Sequence, residues 1–511
     1  MNIATLVRYW ATWRPDHPAI IHNETRLSWR ALDQRSDALA RGLRAAGVGK
    51  GDRLGGLLTN RIELPLLIIA TLKLGAIFVP LNFRLTGVEL LPLLEDAECR
   101  LVVTEAAHLA QLEPASRSLS FAIHALDCND ARPYDDLVIA DGPVPTEEIA
   151  ATDPAFICYT SGTTGQQKGA LLTHLSAIYP GMAKNIAEGL TWRDSIMVAV
   201  PLVFTGAVIS CFIQFTVNAG GTMVLESDFN IDRYLGVIER HRVSAATTVP
   251  VVWERLARSP EFARTDISSM ISAACGGAPV SLDLIETYRR KGISLIQSYG
   301  LTEASGLVAT MHGEDAMHHI GWAGRAIMGT EIRIADHDLN TVPLGETGEI
   351  LVKGPHVMQG YWRKPEATAQ TIVDGWLRTG DLGMMNAEGF VRIVDRSKDM
   401  LISGGINVYP AEIENALAGV EGLADYAVIG VPDAEWGEVP MLVAANGGDH
   451  AALCEAIERV GRPALARFKQ PKHLVLLGEA LPRTLSGKIS KPALRQRFPK
   501  VPEGALRLFA R

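Results

Sequence analysis

Paired cysteines are missing from this sequence. Its six, Cys99, Cys128, Cys158, Cys211, Cys275 and Cys454, stand far apart, form no Cys-x-x-Cys pair and mostly lie in apolar runs. Disulfide staples and thiolate metal sites are thereby excluded, and buried thiols in a reducing, cytoplasmic compartment are expected. A positive balance is missing too: 49 lysines and arginines face 57 aspartates and glutamates, a formal charge of -8. Such a balance argues against nucleic acid, which needs a basic face, and for small-molecule partners. Nor is there an unbroken apolar span. The most hydrophobic segment, Leu64 to Phe83, is interrupted by Pro65, Lys73, Gly75, Pro80 and Asn82, which reads as a buried helix followed by a strand and not as a membrane crossing. The N-terminal stretch carries Arg8 and Arg14 without an apolar core, so no signal peptide is expected. Internal repeats and low-complexity tracts are also absent.

What is present is a globular composition, 47% hydrophobic with 47 glycines, over 511 residues. That length exceeds one core and predicts two to four units. Residues 16–104 alternate strand-like and helix-like stretches: strands around Ala19 and Thr25, a helix from Trp29 to Ala46 ended by Gly47 and Gly49, a strand from Asp52, a helix from Ile62 to Leu74, then strands at Ala76 and Arg100. The alternation resumes over 195–302 and predicts βαβ units with a helix-covered parallel sheet, which binds ligands in loops between strand ends and helix starts. From about 331 short strands between Gly, Asp and Pro turns predict a β subdomain. Beyond 400, helices at Ala411 and His450 and strands at Tyr426 and Lys472 predict a small α+β unit.

Several clusters carry chemistry. Thr160, Ser161, Gly162, Thr163, Thr164, Gly165 and, two glutamines later, Lys168 directly follow an apolar run. Glycines that turn N–H groups toward an anion, hydroxyl donors and a cation make a phosphate cradle. The spacing is not that of a Walker A loop, and Gly169 to Thr173 reads as a second strand, so no helix dipole is used. The same composition also occurs in ordinary turns, and the other clusters decide. Ser298, Tyr299, Gly300, Thr302 and Glu303 follow an apolar strand; they can stack on a base, approach closely, donate to phosphate and hold Mg²⁺ through oxygen, or form a turn and helix cap. Gly276, Gly277, Ala278 and Pro279 form a corner fit for the wall of a flat pocket. Asp381, on a glycine turn, can accept hydrogen bonds from ribose hydroxyls. Asp395, Arg396, Lys398 and Asp399 form a charge run that a solvated face would also explain; Ser403, Gly404 and Gly405 follow in a flexible loop leading to Pro410. Lys488 stands on a glycine-containing loop near the end of the sequence.

Together these clusters resemble the adenylate-forming superfamily of acyl-CoA synthetases, aryl-CoA ligases, luciferases and peptide-synthetase adenylation domains. The resemblance covers nearly the whole chain and rests on five ordered blocks, 159–169, 297–303, 376–383, 389–414 and 481–491. It implies an α/β fold: an N-terminal adenylation domain over 1–396, with βαβ-type sheets and the β subdomain, and a small mobile α+β domain over 397–511 hinged near Lys398. It also implies a two-step reaction, in which a carboxylate and Mg·ATP give acyl-AMP and pyrophosphate, and coenzyme A then takes the acyl group. On this resemblance the 160–168 loop would hold the β and γ phosphates, and Tyr299 would stack on adenine beside Gly276 to Pro279. Thr302 would contact the α-phosphate, Glu303 would hold Mg²⁺, and Asp381 and Arg396 would hold the ribose. Lys488 would bridge the substrate carboxylate and the α-phosphate, where a lysine in a water-poor site stabilises the charge of a pentavalent transition state. Ser403, Gly404 and Gly405 would line the pantetheine path. A homodimer stays open.

The departures concern the acid. In the block Pro201 to Ala207, Phe204 stands where many relatives carry histidine, and no acidic residue is available to pair with an α-amino group, which argues against an amino acid as substrate. The implied wall positions, Val203, Phe204, Thr205, Ala207, Ala274, Cys275, Ser305, Gly306, Leu307 and Val308, are mostly small or apolar. They predict a hydrophobic carboxylic acid, fatty or aryl, with both kept open. Two rivals are an acyl-AMP ligase serving a carrier-protein pantetheine, although no carrier-like Asp-Ser segment follows residue 500, and a nonenzymatic nucleotide-binding scaffold, against which Glu303, Asp381 and Lys488 argue.

Overall fold

Apolar stretches bounded by glycine, proline and aspartate become strands here, and the amphipathic stretches between them become helices. The computed structural model describes residues 2–160, 167–276, 280–396, 399–403, 406–434, 436–445, 450–484 and 488–509, with the backbone alone at 251, 396, 402, 406 and 407. The Trp29–Ala45 helix shows the local logic. Ser28 caps it by accepting from Ala31 N at 3.2 Å, its apolar positions Trp29, Leu32, Leu39 and Leu43 bury one face, and Gly47 turns the chain away at φ 88°. The stretch 62–83 is the expected helix, Glu63–Lys73, followed by the strand Ile77–Pro80. Lys73 is buried between the two helices, with Nζ 2.6 Å from both Asp33 Oδ1 and Asp37 Oδ1.

The chain divides into two compact units, one of residues 1–333, 351–379 and 386–392, the other of 334–350, 380–385 and 393–511. The larger unit contains two sheets. The first runs, in order, Arg325–Ala326, Ala309–Thr310, Leu295–Tyr299, Ser272–Gly276, Ala245–Thr248, Ser195–Val198, Thr222–Leu225, Pro18–His22 and Thr25–Ser28. Its six strands from Leu295–Tyr299 to Pro18–His22 are parallel, and antiparallel strands close both edges. The second runs Gly360–Tyr361, Lys168–Thr173, Pro154–Thr160, Ile77–Pro80, Arg53–Leu57, Leu101–Glu105, Ala122–Leu126 and Arg132–Pro133. Here Lys168–Thr173 runs antiparallel to both of its neighbours and the remaining pairs are parallel. The alternating fold class is therefore the one the sequence predicts.

The stretch from 331 forms the expected short strands, Glu331–Ala335, Gly348–Lys353, Trp376–Met385 and Val391–Arg396, and contributes segments to both units. In the smaller unit the helix Pro410–Ala416, the helix His450–Ala464 and the strand His473–Leu477 fall where expected. Its central strand, Gly437–Ala445, pairs antiparallel with Asp425–Asp433 and parallel with His473–Leu477. Residues of this strand alternate between two cores: Val439, Met441 and Val443 pack with Leu481 and Leu494, while Leu442 and Ala444 pack with Leu453 and Ile457. An apolar run buried on both faces shows no alternation of polarity, and for that reason sequence reading passed over this strand.

Candidate active site

Two strand ends and one added strand build the site of the larger unit. Pro154–Thr160 and Lys168–Thr173 pair antiparallel with Thr160 opposite Lys168, so the predicted cradle joins strand to strand. Its members Ser161, Gly162, Thr163, Thr164 and Gly165 lie outside the described residues. Thr160 and Lys168, at its two ends, are half-buried. Beside Lys168–Thr173 the short strand Gly360–Tyr361 is added with Tyr361 opposite Ala170, and Gln359 N and Trp362 N donate to Leu171 O and Gly169 O at 2.9 and 2.7 Å.

The second contribution comes from the carboxyl end of Leu295–Tyr299. The chain passes through Gly300 into one 3₁₀ turn, Thr302–Ala304, and returns through Ser305 and Gly306 at φ 52° and 87°. Gly306 N to Leu301 O (2.9 Å) and Val308 N to Tyr299 O (2.8 Å) close the return. Only glycine fits at 300, because a Cβ there would lie 2.2 Å from Gly306 O. Tyr299 is buried, and Ser298 Oγ lies 3.4 Å from Thr310 Oγ1. Gly276 ends the neighbouring parallel strand, and a Cβ there would make only ordinary contact, with Ser298 O at 3.8 Å. Gly277, Ala278 and Pro279 lie outside the described residues.

The turn delivers its side chains to the strand pair. The Tyr361 hydroxyl donates to Glu303 Oε1 over 2.9 Å, and Thr160 Oγ1 has that oxygen and Lys168 O, both at 3.4 Å, as alternative acceptors for its one proton. Met358 N fixes the backbone of that residue by donating to Glu303 O at 2.8 Å. Among the described residues no hydrogen bond engages Glu303 Oε2. Burial, and then the neighbouring Glu303 charge, raise the Tyr361 hydroxyl above its ordinary pKa, so it stays a neutral donor. Lys168 Nζ lies 5.0 Å over the Tyr361 ring, a cation–π approach. One residue earlier, Thr302 Oγ1 donates to Thr205 Oγ1 over 3.1 Å. Thr205 is also hydrogen-bonded to the buried thiol of Cys158, which burial pushes up to about 12.

The predicted acyl wall is split between open and packed positions. Phe204 and Thr205 are half-buried and Val203 and Ala207 buried, where the chain enters a π-helix, Gly206–Val217. The entry is clamped by Asn60: its Oδ1 accepts from Leu202 N at 2.7 Å and its Nδ2 donates to Val200 O and Glu226 O, both at 2.9 Å. Ser305 is fully buried; its Oγ donates to His356 O (2.9 Å) and its carbonyl accepts from Gln214 Nε2 (2.7 Å). Leu307 packs on Ala183 and Ile327, and Val308 is fully buried. Cys275 sits in the core with Trp253 and Tyr288, and Ala274 on the opposite face with Ile296 and Phe390. A cavity of about 270 Å³, lined by Ala183, Ile186, Thr310, Arg325, Ile327 and Met328 among others, touches none of the predicted site residues.

In the smaller unit Asp381 is buried. It lies within the strand Trp376–Met385 and not in a turn; the turn-like backbone the sequence suggested is confined to Gly380, at φ 69°, whose N donates to Glu349 Oε1 at 3.1 Å. Asp395 accepts from Ala411 N (3.0 Å) at the start of the Pro410 helix, and Asp399 accepts from Arg495 Nη2 (2.7 Å). Two members of the charge run are thus structural partners. Arg396 ends the strand Val391–Arg396, Ser403 is buried opposite Ile406, and Lys398, Gly404 and Gly405 lie outside the described residues. Lys488 is exposed, and its carbonyl accepts from Thr484 N at 2.6 Å.

Sequence reasoning missed Tyr361 and Asn60. Tyr361 lies in the motif Gly360-Tyr361-Trp362, whose only signal is a glycine before two aromatics, and Asn60 is one asparagine after a strand. Neither pattern carries a chemistry of its own.

The profile of the AMP-binding enzyme family matches residues 7–362, and that of the AMP-binding enzyme C-terminal domain matches 412–488. A feruloyl-CoA synthase of Amycolatopsis is 38% identical over 490 residues, 96% of this chain and 97% of its own. A long-chain-fatty-acid–CoA ligase of Mycobacterium tuberculosis is 34% identical over 506 residues, 97% of this chain and 98% of its own. The structure of the Bacillus subtilis O-succinylbenzoate coenzyme A synthetase in complex with ATP and magnesium superposes with a TM-score of 0.84 at 30% identity, covering 96% of this chain and 99% of that one.

Proposed function

The chain belongs to the AMP-binding enzyme family and is an ATP-dependent acid–thiol ligase that forms acyl-CoA by way of acyl-AMP; we propose that its acid is hydrophobic, aryl or aliphatic, and that the residues described above divide the work as follows. The observation that carries the reading is the meeting of Thr160, Glu303 and Tyr361 at the strand ends of the larger unit, with Thr302, one residue before Glu303, against Thr205. In the first half-reaction an oxygen of the acid attacks the α-phosphorus, the bond to the β-phosphate breaks, and pyrophosphate departs with the electron pair. Thr160, Lys168 and the hydroxyls and glycines between them hold the leaving pyrophosphate, and Thr302 donates to the α-phosphate. Tyr299 stacks on adenine, Asp381 and Arg396 hold the ribose, and Lys488 is brought to the α-phosphate and the carboxylate. In the second half-reaction the coenzyme A sulfur attacks the acyl carbon, AMP leaves with the electron pair, and the thiol proton passes to solvent.

Glu303 suits Mg²⁺: one oxygen is held by the Tyr361 hydroxyl and the other is left for a hard cation, which commonly takes one or two protein carboxylates and completes its shell with phosphate and water. Bound there, the ion would supply charge neutralisation at the phosphates. The apolar Phe204, half-buried among the predicted wall positions, supports a hydrophobic acid. Relatives named for feruloyl and for long-chain fatty acyl groups keep both aryl and aliphatic acids in view. We further infer a hinge at Lys398, with different faces of the smaller unit serving the two half-reactions and Ser403 to Gly405 on the pantetheine path. No described helix is long and apolar enough to cross a membrane, and six free cysteines support a reducing, cytoplasmic setting.

The test is pyrophosphate release with a panel of aryl and C6–C16 aliphatic acids, with and without coenzyme A. The expected outcome is release with hydrophobic acids and a thioester only when coenzyme A is present. Release without any thioester would replace coenzyme A by a carrier pantetheine, and no release with any acid would overturn the reading.

A further inference from the structure

We propose that Tyr361 is a positioning residue for nucleotide-bound metal: its hydroxyl, held on the edge strand beside the phosphate hairpin, fixes one oxygen of Glu303 and so turns the other toward the cation. The inference rests on the reading of Glu303 as the metal carboxylate and adds to it the group that sets its orientation.

Three observations converge. The first is geometric: the Tyr361 phenol donates to Glu303 Oε1 at 2.9 Å, whereas the Thr160 hydroxyl, 3.4 Å from the same oxygen, has Lys168 O at the same distance for its one proton. A carboxylate with one oxygen held by the phenol has its other oxygen directed before any cation arrives. Groups that orient a metal's ligands in this way typically govern affinity by about 10- to 100-fold.

The second is how Tyr361 is itself held. Its strand pairs with Lys168–Thr173, and backbone bonds on both sides, Gln359 N to Leu171 O and Trp362 N to Gly169 O, lock the register. Trp362 Nε1 donates to Asp96 O at 3.1 Å, and Tyr361 N donates to Thr368 Oγ1 at 2.9 Å. A backbone pinned by this many bonds fixes the point from which the phenol reaches Glu303, which suits an orienting group.

The third is what else meets the ring. Lys168 Nζ lies over its face, so one side chain touches both the carboxylate expected to hold the cation and the lysine expected to hold the phosphates. Tyr361 therefore links the two charges that Mg·ATP must satisfy together, while AMP, which lacks the β and γ phosphates, calls on neither.

Tyr361→Phe removes the hydroxyl and keeps the ring beneath Lys168. Calorimetric titration of the full chain with Mn·ATP, and separately with AMP, both without acid, reads the effect. We expect the variant to weaken Mn·ATP binding about 10- to 100-fold with AMP affinity within about twofold and the unfolding midpoint close to that of the parent. Glu303→Gln run alongside separates two failures. If Glu303→Gln weakens Mn·ATP and Tyr361→Phe does not, the positioning role is overturned and the metal reading of Glu303 stands. If Glu303→Gln also leaves Mn·ATP unchanged, both are overturned. Equal losses for Mn·ATP and AMP in Tyr361→Phe mark a general structural role and overturn the proposal as well.

Discussion

At Gly300 the demand on the residue is steric. The return of the chain after Tyr299 brings Gly306 O to where a Cβ would sit, 2.2 Å away, and a backbone carbonyl cannot rotate aside as a side chain could. Gly300→Ala must therefore shift the turn that carries Thr302 and Glu303. Overpacking of this kind costs about 1–3 kcal/mol, and a displacement near 1 Å at the reacting groups costs about 10²-fold in rate. The expected outcome is a lowered denaturation midpoint and a larger loss in acid-dependent pyrophosphate release; unchanged release would show that the turn does not set the reacting geometry. Lys488 makes the opposite kind of contribution. It is exposed, so its substitution should leave folding nearly unchanged. Lys488→Ala is expected to lower adenylation by roughly 10²-fold or more, on the scale of losing one preorganised transition-state donor, while thioester formation from supplied acyl-AMP stays far less affected. Equal losses in both half-reactions would remove Lys488 from the first. Gly300 and Lys488 were both legible in the sequence. Tyr361 was not, because its significance lies in an oxygen contributed 58 positions away.

At the scale of elements, the π-helix Gly206–Val217 is the departure that pattern reading could not anticipate. Its wider turn shows in side chains that reach back five residues, Cys211 Sγ to Gly206 O at 3.4 Å and Thr216 Oγ1 to Cys211 O at 3.2 Å. The widening is tied to its neighbour, the helix His174–Glu188: a Cβ at Gly181 would meet Gln214 O at 2.3 Å, and Asn185 Nδ2 donates to Gln214 O at 2.8 Å. Periodicity does not distinguish such a helix from an ordinary buried one, since every position from Cys211 to Val217 is apolar or buried. The inferred hinge at Lys398 has a consequence of its own. Proline fixes φ near −65° and removes a donor, so Lys398→Pro should spare acyl-AMP formation and damage thioester formation. Single-turnover assays of the two halves, with overall turnover as reference, decide this; unchanged overall turnover would refute a hinge at 398.

At the scale of the whole molecule, two buried histidines make stability depend on pH. Burial lowers His174 and His356 to about 4, and His174 Nδ1 accepts from Ile3 N at 3.3 Å, which needs the neutral ring. In the unfolded chain both titrate near the ordinary 6.5. The unfolded state thus binds more protons between about 4 and 6.5, and the stability held in these rings is complete above 6.5 and lost as pH falls toward 4. The size is about 3 kcal/mol for each ring. Urea unfolding at pH 7.5 and pH 4.5 should show the fall, and His174→Asn, which keeps an acceptor for Ile3 N, should remove about one proton from the slope. An identical slope in the variant would exclude His174 as a source.

The sequence by itself determined the alternating α/β organisation, the small α+β unit, and the identity of the residues whose types are chemically unusual in their setting: hydroxyls and glycines around Thr160, an acid after a Thr in a strand-end turn, a lysine near 488. These follow from periodicity and composition, which are local. Only the tertiary structure decided that Thr160, Glu303, Tyr361 and Lys168 meet at one place, that Asn60 clamps the entry to the π-helix, and that Cys275 and Ala274 face opposite cores. The physical reason is that a hydrogen bond or a packed contact is short-ranged and indifferent to separation along the chain. Residues such as tyrosine and asparagine, common in any fold, acquire a role only from the partner that folding sets 3 Å away.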